Sequence, residues 1–424
     1  MHNVHSKNTV RYYLFAAFLL LFFFFSNDFA LTDVQKTAIV IAAGIDREED
    51  TFIVTSQIAI PQSSKQGKAS EAVQLVSRGK TVADAFEEIN AKTGWYPKLV
   101  FCDFILLGEG TVKENVFDAL EFFLRDEYLT DNCLVATCNG HAKDLLNTSA
   151  LVDPSSSLAM KKVLSSHAER VGTVLPATLK DFSIGYFSDS KSAFLPILKK
   201  EPQQETISGG QADQNGSDSS SNSSSQGSGQ ENDQNSQGSQ GGQSNQSSQS
   251  GAQQDKPVFS AKETALFVGG KRVGTLTEEE TFAVATVLNP LRLASYSVER
   301  EGKTCSLTIK QNNPSTKLKV GNENNLTLNV NVTLTAGILD YSKAQSIENI
   351  SDSGDVPKEY FFLAEKKLKG DITRAFEKCR AVQCDVFGVR ERLIKYEKKH
   401  LKKFADTALR DVRLNTEITF RNIR

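Results

Sequence analysis

One stretch of this chain has too few apolar residues to join a folded core, and it determines how the rest can be divided. Between about Pro202 and Lys256 the sequence is almost entirely Ser, Gln, Gly, Asn and Asp. Apolar burial cannot offset the entropy of ordering such a stretch, which therefore predicts a disordered linker. As a flexible coil of about 55 residues it would have an end-to-end distance of roughly 40 Å.

This linker (202–256) predicts an N-terminal globular part at 31–201 and a C-terminal one at 257–424. A chain of 424 residues is long enough for two or three domains, so the N-terminal part could hold two subdomains. The linker could be a tether that lets two domains move independently, or an expanded surface loop between elements that stay packed together. We favour the expanded loop.

The first 30 residues have the pattern of a segment recognised by the secretion machinery. Lys7 and Arg11 precede an unbroken apolar run from Tyr12 to Phe25, and a basic flank before an apolar core is typical of such segments. The run is shorter than the about 20 residues that span a bilayer. The basic flank predicts that the body of the protein lies outside the cytoplasm. The residues that we predict to anchor the chain in a membrane are Tyr12, Leu14, Phe15, Leu19, Leu20, Leu21, Phe22 and Phe25.

A cleaved signal peptide and an uncleaved anchor both fit this segment. Cleavage after Ala30 would place Asp28 where a small neutral residue is preferred, so we favour the uncleaved anchor. Lipidation would need a cysteine just after the apolar run, but Ser26, Asn27 and Asp28 stand there and the first cysteine is Cys102.

The N-terminal part predicts alternating strands and helices. Apolar runs at 37–46 and 52–60 flank a short polar turn and predict a hairpin. Thr81 is expected to cap one helix, and Thr111 with Glu114 to form the capping box of another. Further strands are expected at 98–110 and 132–138, and a short helix at 142–146. The buried faces predicted for the two capped helices are Val82, Ala85, Phe86 and Ile89, and Val116, Ala119, Leu120 and Phe123.

The C-terminal part opens on a predicted hairpin, ALFVGGKRVGTL, whose strands meet at Gly269 and Gly270. A phosphate-binding loop is not expected, because the Gly-x-x-x-x-Gly-Lys-Ser/Thr spacing is missing. Thr277 with Glu280 predicts a capping box. The remaining predicted elements are strands near 303–310 and 325–335, a helix at about 358–382, and a half-buried final strand containing Val412, Leu414, Ile418 and Phe420. The predicted fold class is α+β, with mixed sheets and helices.

No group of residues predicts chemistry. Cys133 and Cys138 lie five apart in a predicted strand and point to opposite faces, and Cys379 and Cys384 could meet only if their helix ended between them. His141 belongs to no nucleophile motif. We therefore predict no catalytic residue, no cofactor-binding residue and no metal ligand, and hence no enzyme. The net charge of −2 gives no attraction towards nucleic acid.

Several segments carry a resemblance to a known family. TAIVIAAGID (37–46), KLVFCDFILLGEG (98–110) and a segment at 116–146 that contains FFLRDEYLTDN resemble, in this order, the C-subunit family of spore germinant receptors, the Ger(x)C spore germination proteins. Beyond the linker, 264–281 and CDVFGV at 384–389 are similar to the same family.

The resemblance implies a membrane-attached extracytoplasmic subunit that takes part in germinant signal transduction without catalysis. It implies membrane-embedded A and B receptor subunits as partners, in the inner membrane of the spore, and leaves any small-molecule ligand unidentified. The family is typically lipidated on a cysteine after the signal, which this chain lacks.

Two surfaces are candidates for contact with other molecules. Arg125 and Asp126 follow an apolar helix and form a candidate partner surface, although a simple helix terminus is the interpretation that we favour. Basic residues at 390–410 could face anionic lipid, although a solvated helix face is again favoured. These are Lys395, Lys398, Lys399, Lys402, Lys403 and Arg410. An alternative function from a different class is an extracytoplasmic solute-binding protein of a transport system, which would need a ligand pocket between two lobes.

Overall fold

A computed structural model describes residues 11–21, 37–59, 72–150, 153, 155–202, 258–321, 325–341, 355–404 and 407–423. The linker lies outside these residues from 203 onwards. The parts on its two sides, Met1–Glu201 and Pro257–Arg424, form a single compact unit. The described residues have the predicted α+β fold class, with two sheets and surrounding helices.

The larger sheet has a parallel centre and antiparallel edges. Its strands run in the order β10-β9-β8-β6-β5-β1-β2-β3, with β4 paired to β1 and β7 to β6. Pairing is parallel from β8 through β6 and β5 to β1, and antiparallel outside them. The strands are β1 (Thr37–Glu48), β2 (Thr51–Ala59), β3 (Ala72–Gly79), β4 (Tyr96–Lys98), β5 (Phe104–Leu107), β6 (Leu134–Cys138), β7 (Ala177–Thr178), β8 (Ser192–Glu201), β9 (Val258–Val268) and β10 (Lys271–Leu276).

The smaller sheet lies wholly in the C-terminal part and has the order β11-β12-β13-β14. Its last strand pairs with β13 in parallel, whereas the other pairs are antiparallel. The strands are β11 (Ala294–Arg300), β12 (Lys303–Val320), β13 (Leu326–Tyr341) and β14 (Arg413–Asn422). The strands predicted near 303–310 and 325–335 are therefore present and longer than expected.

The helices cover both sheets. They are α1 (11–21), α2 (Val82–Thr93), α3 (Glu109–Lys113), α4 (Val116–Arg125), α5 (Ala142–Leu146), α6 (Ser156–Val163), α7 (Ser166–Arg170), α8 (Leu179–Phe187), α9 (Glu278–Leu288), α10 (Lys358–Ala381), α11 (Val389–Tyr396), α12 (Leu401–Phe404) and α13 (Ala408–Asp411), with a 3₁₀ turn at Lys398–His400. α2, α4 and α8 pack on one face of the larger sheet, and α5 and α6 on the other. α9 and α10 share a core with the smaller sheet.

The local predictions for helix starts have mixed outcomes. Thr81 caps its helix as predicted and does so in a capping box with Asp84, and Thr277 forms the predicted capping box with Glu280. The capping box predicted for Thr111 is wrong. Its hydroxyl donates to the carbonyl oxygen of Ile45 at 2.8 Å instead, and α4 starts after Asn115.

The strand predicted at 98–110 is also wrong in its length. β4 ends at Lys98, a turn follows, β5 occupies only Phe104–Leu107, and α3 begins at Glu109. The apolar residues of this segment have different environments. Leu99 and Cys102 are buried in the turn and Phe104–Leu107 are buried in the central strand, whereas Val100 and Phe101 of the turn are exposed. A continuous apolar pattern cannot distinguish these two situations.

Strand β8, which precedes the linker, and β9, which follows it, are hydrogen-bonded neighbours. They pair antiparallel from Ser192 opposite Val268 to Glu201 opposite Val258. Opposite residues of an antiparallel pair have Cα atoms about 5 Å apart, so the ends of the linker are held together. Independent movement of the two parts would require this pairing to break, which argues for the expanded-loop interpretation.

Replacing residues 203–257 with a four-residue turn is therefore expected to leave the fold intact and to raise the free energy of unfolding by about 2 kcal/mol, since closure of a shorter loop costs less entropy. Chemical denaturation of the full chain and of the shortened variant measures this difference. A variant with the same linker residues in shuffled order is the control and should match the original chain. Loss of folded protein on shortening would contradict the prediction.

Candidate functional site

The predicted anchor residues lie partly in α1. Residues 11–21 are exposed along the whole helix, and Leu20 is 69% exposed. The anchor residues within the described range are Tyr12, Leu14, Phe15, Leu19, Leu20 and Leu21, whereas Phe22 and Phe25 lie outside it. Of the helices described, none has the length and apolar character needed to cross a bilayer. Anchoring stays a prediction.

Arg125 and Asp126 mark the end of α4 and have different roles there. Asp126 turns the chain, because its Oδ1 accepts the backbone N–H groups of Tyr128 at 2.9 Å and of Leu129 at 3.0 Å. The Arg125 side chain is 77% exposed and pairs with Glu121, and such exposed pairs contribute little to stability. A partner-binding role therefore stays a prediction for Arg125, whereas the contacts of Asp126 are those of a helix terminus.

A cleft of about 610 Å³ lies beside Asp126, between α2 and α4. Its wall includes Phe86 and Phe122, whose rings stack with centroids 5.1 Å apart. Tyr96 and Pro97 of β4 complete the wall. The cleft therefore joins the predicted partner surface to the loop around β4.

Large apolar side chains are exposed in the loop around β4 and in the segment that follows α4. We call them the β4 surface and define it as Trp95, Tyr96, Val100, Phe101 and Tyr128. Their exposed fractions are 40%, 51%, 46%, 60% and 61%. The Nζ atom of Lys98 lies 5.4 Å from the centre of the Tyr128 ring, which links the two segments. Exposed apolar patches of this kind mark sites of interaction with proteins or membranes.

The β4 surface was not among the surfaces predicted from the sequence. A signal was present, since Trp95 and Tyr96 stand between Gly94 and Pro97, which are residue types that mark turns. Two adjacent large aromatic residues in a turn have little opportunity for burial, so their exposure could have been expected.

Three of the segments that carry the family resemblance meet at the carboxylate of Asp46, the last residue of TAIVIAAGID. Its oxygens accept the N–H groups of Ala142 at 2.8 Å and Lys143 at 3.0 Å, at the start of α5. Gly108, in the segment at 98–110, lies against the same carboxylate, and a Cβ at that position would overlap Asp46 Oδ1. These residues are therefore related by packing and hydrogen bonding.

Neighbouring hydrogen bonds tie the same segments together. The N–H of Glu109 donates to the carbonyl of Gly140 at 2.8 Å, and the N–H of Gly140 donates to Glu109 Oε2 at 3.1 Å. Burial raises the pKa of Asp46 above its ordinary value of 3.8, against the lowering effect of the hydrogen bonds from Lys143 and Ala142. The side chain of His141 is largely exposed and its Nδ1 lies 3.7 Å from Asp46 Oδ1.

The CDVFGV segment connects the C-terminal part to the larger sheet. The Sγ atom of Cys384 lies 3.4 Å from the carbonyl oxygen of Phe267 in β9, and the N–H of Asp385 donates to Ser192 Oγ of β8 at 2.8 Å. The carboxylate of Asp385 accepts the N–H groups of Val389 and Arg390 at 2.8 and 2.7 Å. The carboxylate of Asp385 thus fixes the start of α11, while its backbone N–H connects the segment to β8 of the larger sheet.

The six cysteines are free and buried. Burial raises the pKa of the Cys305 thiol to about 11 and that of Cys384 to about 12, so these thiols are protonated at neutral pH and are poor nucleophiles. No group of three potential metal ligands occurs within the described ranges.

The candidate lipid-facing residues Lys395, Lys398, Lys399, Lys402, Lys403 and Arg410 are all exposed. They lie on α11, the 3₁₀ turn and the two short helices that follow. Lys395 and Lys403 each place an ammonium group 5.5 Å from the centre of an adjacent aromatic ring, those of Tyr396 and Phe404. The solvated face that was favoured fits these positions, and an interaction with lipid stays a prediction.

Two family models match this chain. The model described as spore germination protein N-terminal domain matches residues 31–200, and the model described as spore germination B3/GerAC like, C-terminal, matches residues 262–423. The chain is also similar to spore germination protein B3 of Bacillus subtilis (strain 168), with 25% identity over 195 residues. That match spans 44% of this chain and half the length of the relative.

A solved structure has a similar fold. The crystal structure of the GerBC protein matches with a TM-score of 0.51 and 16% sequence identity, over 90% of this chain and 97% of that chain. The two proteins thus share their architecture over nearly the whole of the solved chain.

Proposed function

The chain belongs to the spore germination GerAC family, whose N- and C-terminal models both match it, and we propose that it acts as the C subunit of a spore germinant receptor. In this role it would take part in germinant signal transduction without catalysis. The observation that carries the proposal is the presence of both family domains in order, on the fold of the GerBC protein.

The N-terminal segment supports attachment of the chain to a membrane, with the folded body on the extracytoplasmic side. In a spore this membrane would be the inner membrane. The apolar residues of α1 are exposed, and the segment has the basic flank of an inserted sequence. Because no cysteine stands directly after the apolar run, we propose an uncleaved anchor in place of lipidation.

The roles of the perturbed carboxyl groups support a non-catalytic protein. Groups with shifted pKa values are the usual candidates for active-site residues. Burial raises the pKa of Asp46, Asp371 and Asp385, but each has a structural partner. Asp46 and Asp385 hold helix starts, and Asp371 accepts the hydroxyl of Tyr296 at 3.3 Å.

The solute-binding alternative receives less support. A lobe-closing protein needs two parts that move about a hinge, whereas here β8 and β9 join the two parts in one sheet. The solute-binding alternative would predict a transport complex as the partner. Identification of the partners by affinity purification therefore distinguishes the two functions.

We expect affinity purification of the tagged chain from crosslinked spore membranes to recover two membrane proteins, the A and B subunits, because the resemblance to C subunits of germinant receptors implies these partners. Mass spectrometry of the purified material identifies them. Recovery of an ATP-driven permease would contradict the proposal and favour solute binding.

Variants of exposed arginines test the predicted partner surface in the same experiment. Arg125→Glu should reduce recovery of the partners, since it reverses the charge of a projecting side chain. Arg410→Glu is the matched control, because the Arg410 side chain is 68% exposed and also lies beside a carboxylate, that of Asp411. Equal recovery with both variants would remove Arg125 from the interface.

A further inference from the structure

We propose that the β4 surface rests in the lipid headgroup region of the membrane to which the N-terminal segment attaches the chain. This inference rests on the membrane attachment in the proposed function. It concerns a different part of the protein, the folded body, and assigns that body an orientation on the bilayer.

The β4 surface lies at the end of the larger sheet where the chain enters it. β1, the first strand after the N-terminal segment, starts at Thr37, and Thr37 is the parallel partner of Tyr96. Trp95 therefore lies at the level where the chain enters the sheet. β1 runs away from this point for 12 residues, or about 40 Å at 3.3 Å per residue, so the turn after β1 is at the far end.

The length of the chain between α1 and β1 limits how far this end of the sheet can lie from the anchor. Residues 22–36 join α1 to β1 and can span at most about 50 Å, even when fully extended. An anchor placed in the bilayer by the N-terminal segment therefore keeps the Thr37 end of the sheet within about 50 Å of the bilayer, whereas the turn after β1 can lie about 40 Å farther away. The β4 surface is an exposed apolar surface beside the Thr37 end.

The side chains of the β4 surface are of the types found at membrane interfaces. Trp and Tyr are favoured at membrane interfaces, where the ring is half-buried and its polar atom remains hydrated. Lys92 is paired with Glu88, and Lys161, which lines a cleft with Phe101, is paired with Asp103. Lys98 lies over the ring of Tyr128, which follows Asp126 and Glu127 in the sequence. Because these carboxylates are at least as many as the cations, contact with the bilayer depends on the aromatic and apolar side chains and does not need anionic lipid.

The sequence provides a direct probe, since Trp95 is the single tryptophan of the chain. The full chain would be reconstituted into phosphatidylcholine vesicles, and its fluorescence measured with lipids brominated either next to the headgroup or near the end of the acyl chain. We expect a blue shift on reconstitution, and a larger loss of emission with the shallow bromine than with the deep one. The fluorescence of Trp95 should also be protected from quenching by aqueous iodide.

Two variants show whether the whole surface is needed. Phe101→Ser combined with Tyr128→Ser should reduce the quenching of Trp95 by bromolipid and restore quenching by iodide. Phe187→Ser is the matched control, because Phe187 is an aromatic residue that is 69% exposed but packs on Phe117 at the first turn of α4, the other end of that helix from Asp126. It should leave the fluorescence unchanged.

The outcomes separate the two proposals. If the chain floats with the vesicles and Trp95 remains open to iodide, as it would when a protein partner normally covers this surface, membrane attachment stands and the present inference is overturned. If the chain fails to float with the vesicles, attachment itself fails. Flotation with shallow quenching supports both.

Discussion

Asp46→Ala is expected to lower the free energy of unfolding by about 3 kcal/mol, because the buried N–H of Ala142 and the part-buried N–H of Lys143 lose their acceptor, at about 1–3 kcal/mol for a buried group left unsatisfied. The variant should also loosen the start of α5. Denaturation of the full chain in mild detergent, followed by circular dichroism, measures the stability. Asp50→Ala is the control, since Asp50 is exposed in the turn that follows β1, and it should change stability little.

Gly108 allows a test of the same site by a double-mutant cycle. Gly108→Ala alone should destabilise the chain strongly, because its methyl group would overlap the Asp46 carboxylate. When Asp46 is already Ala, the overlapping oxygen is absent and the second substitution should cost much less. Additive effects of the two substitutions would show that the carboxylate is not what restricts position 108.

The raised pKa of Asp46 gives this site a pH dependence of known sign. A carboxyl group whose pKa is higher in the folded state than in the unfolded state contributes stability at low pH, and this contribution is lost as the pH rises through the folded-state value. The loss therefore starts above the ordinary pKa of 3.8. Asp46→Asn does not titrate, so the stability advantage of the original chain over this variant should shrink as the pH rises.

A comparison of the α2 and α4 helices with the contacts of Asp46 shows which features a single sequence can predict. The buried faces of α2 and α4 were predicted correctly, because helical periodicity and capping residues act over a few positions. The meeting of Asp46, Gly108 and Ala142 could not be predicted in the same way. It joins segments that are distant in sequence, through a parallel sheet whose strand order the local pattern does not encode.

Tertiary contacts also explain the errors. Thr111 and Glu114 have the spacing of a capping box, but Thr111 is buried against β1 and its hydroxyl is taken by Ile45. Pairing of β8 with β9 was hidden by the linker, since hairpins are recognised by short turns. The exposure of Trp95 and Phe101 depends on which neighbours are missing from the surface, and a hydrophobic pattern carries no information about that.

Asp385→Ala is expected to lower the free energy of unfolding by about 3 kcal/mol, because it leaves the buried N–H of Val389 and the part-buried N–H of Arg390 without their acceptor. Since Asp385 follows Cys384, which contacts β9, the effect should reach beyond α11 to the junction with the larger sheet. Hydrogen exchange of the amides of Val389 and Arg390 should accelerate together with that of β8.

A capping carboxylate in water provides the comparison for Asp385. Asp181 is exposed and accepts the N–H of Thr178 at 3.1 Å at the start of α8. Water can replace it, so Asp181→Ala should cost only about 1 kcal/mol. Because the two substitutions remove the same chemical group from a helix start, the difference between them measures the effect of burial. Equal losses would mean that CDVFGV supports α11 alone and does not hold the C-terminal part against the sheet.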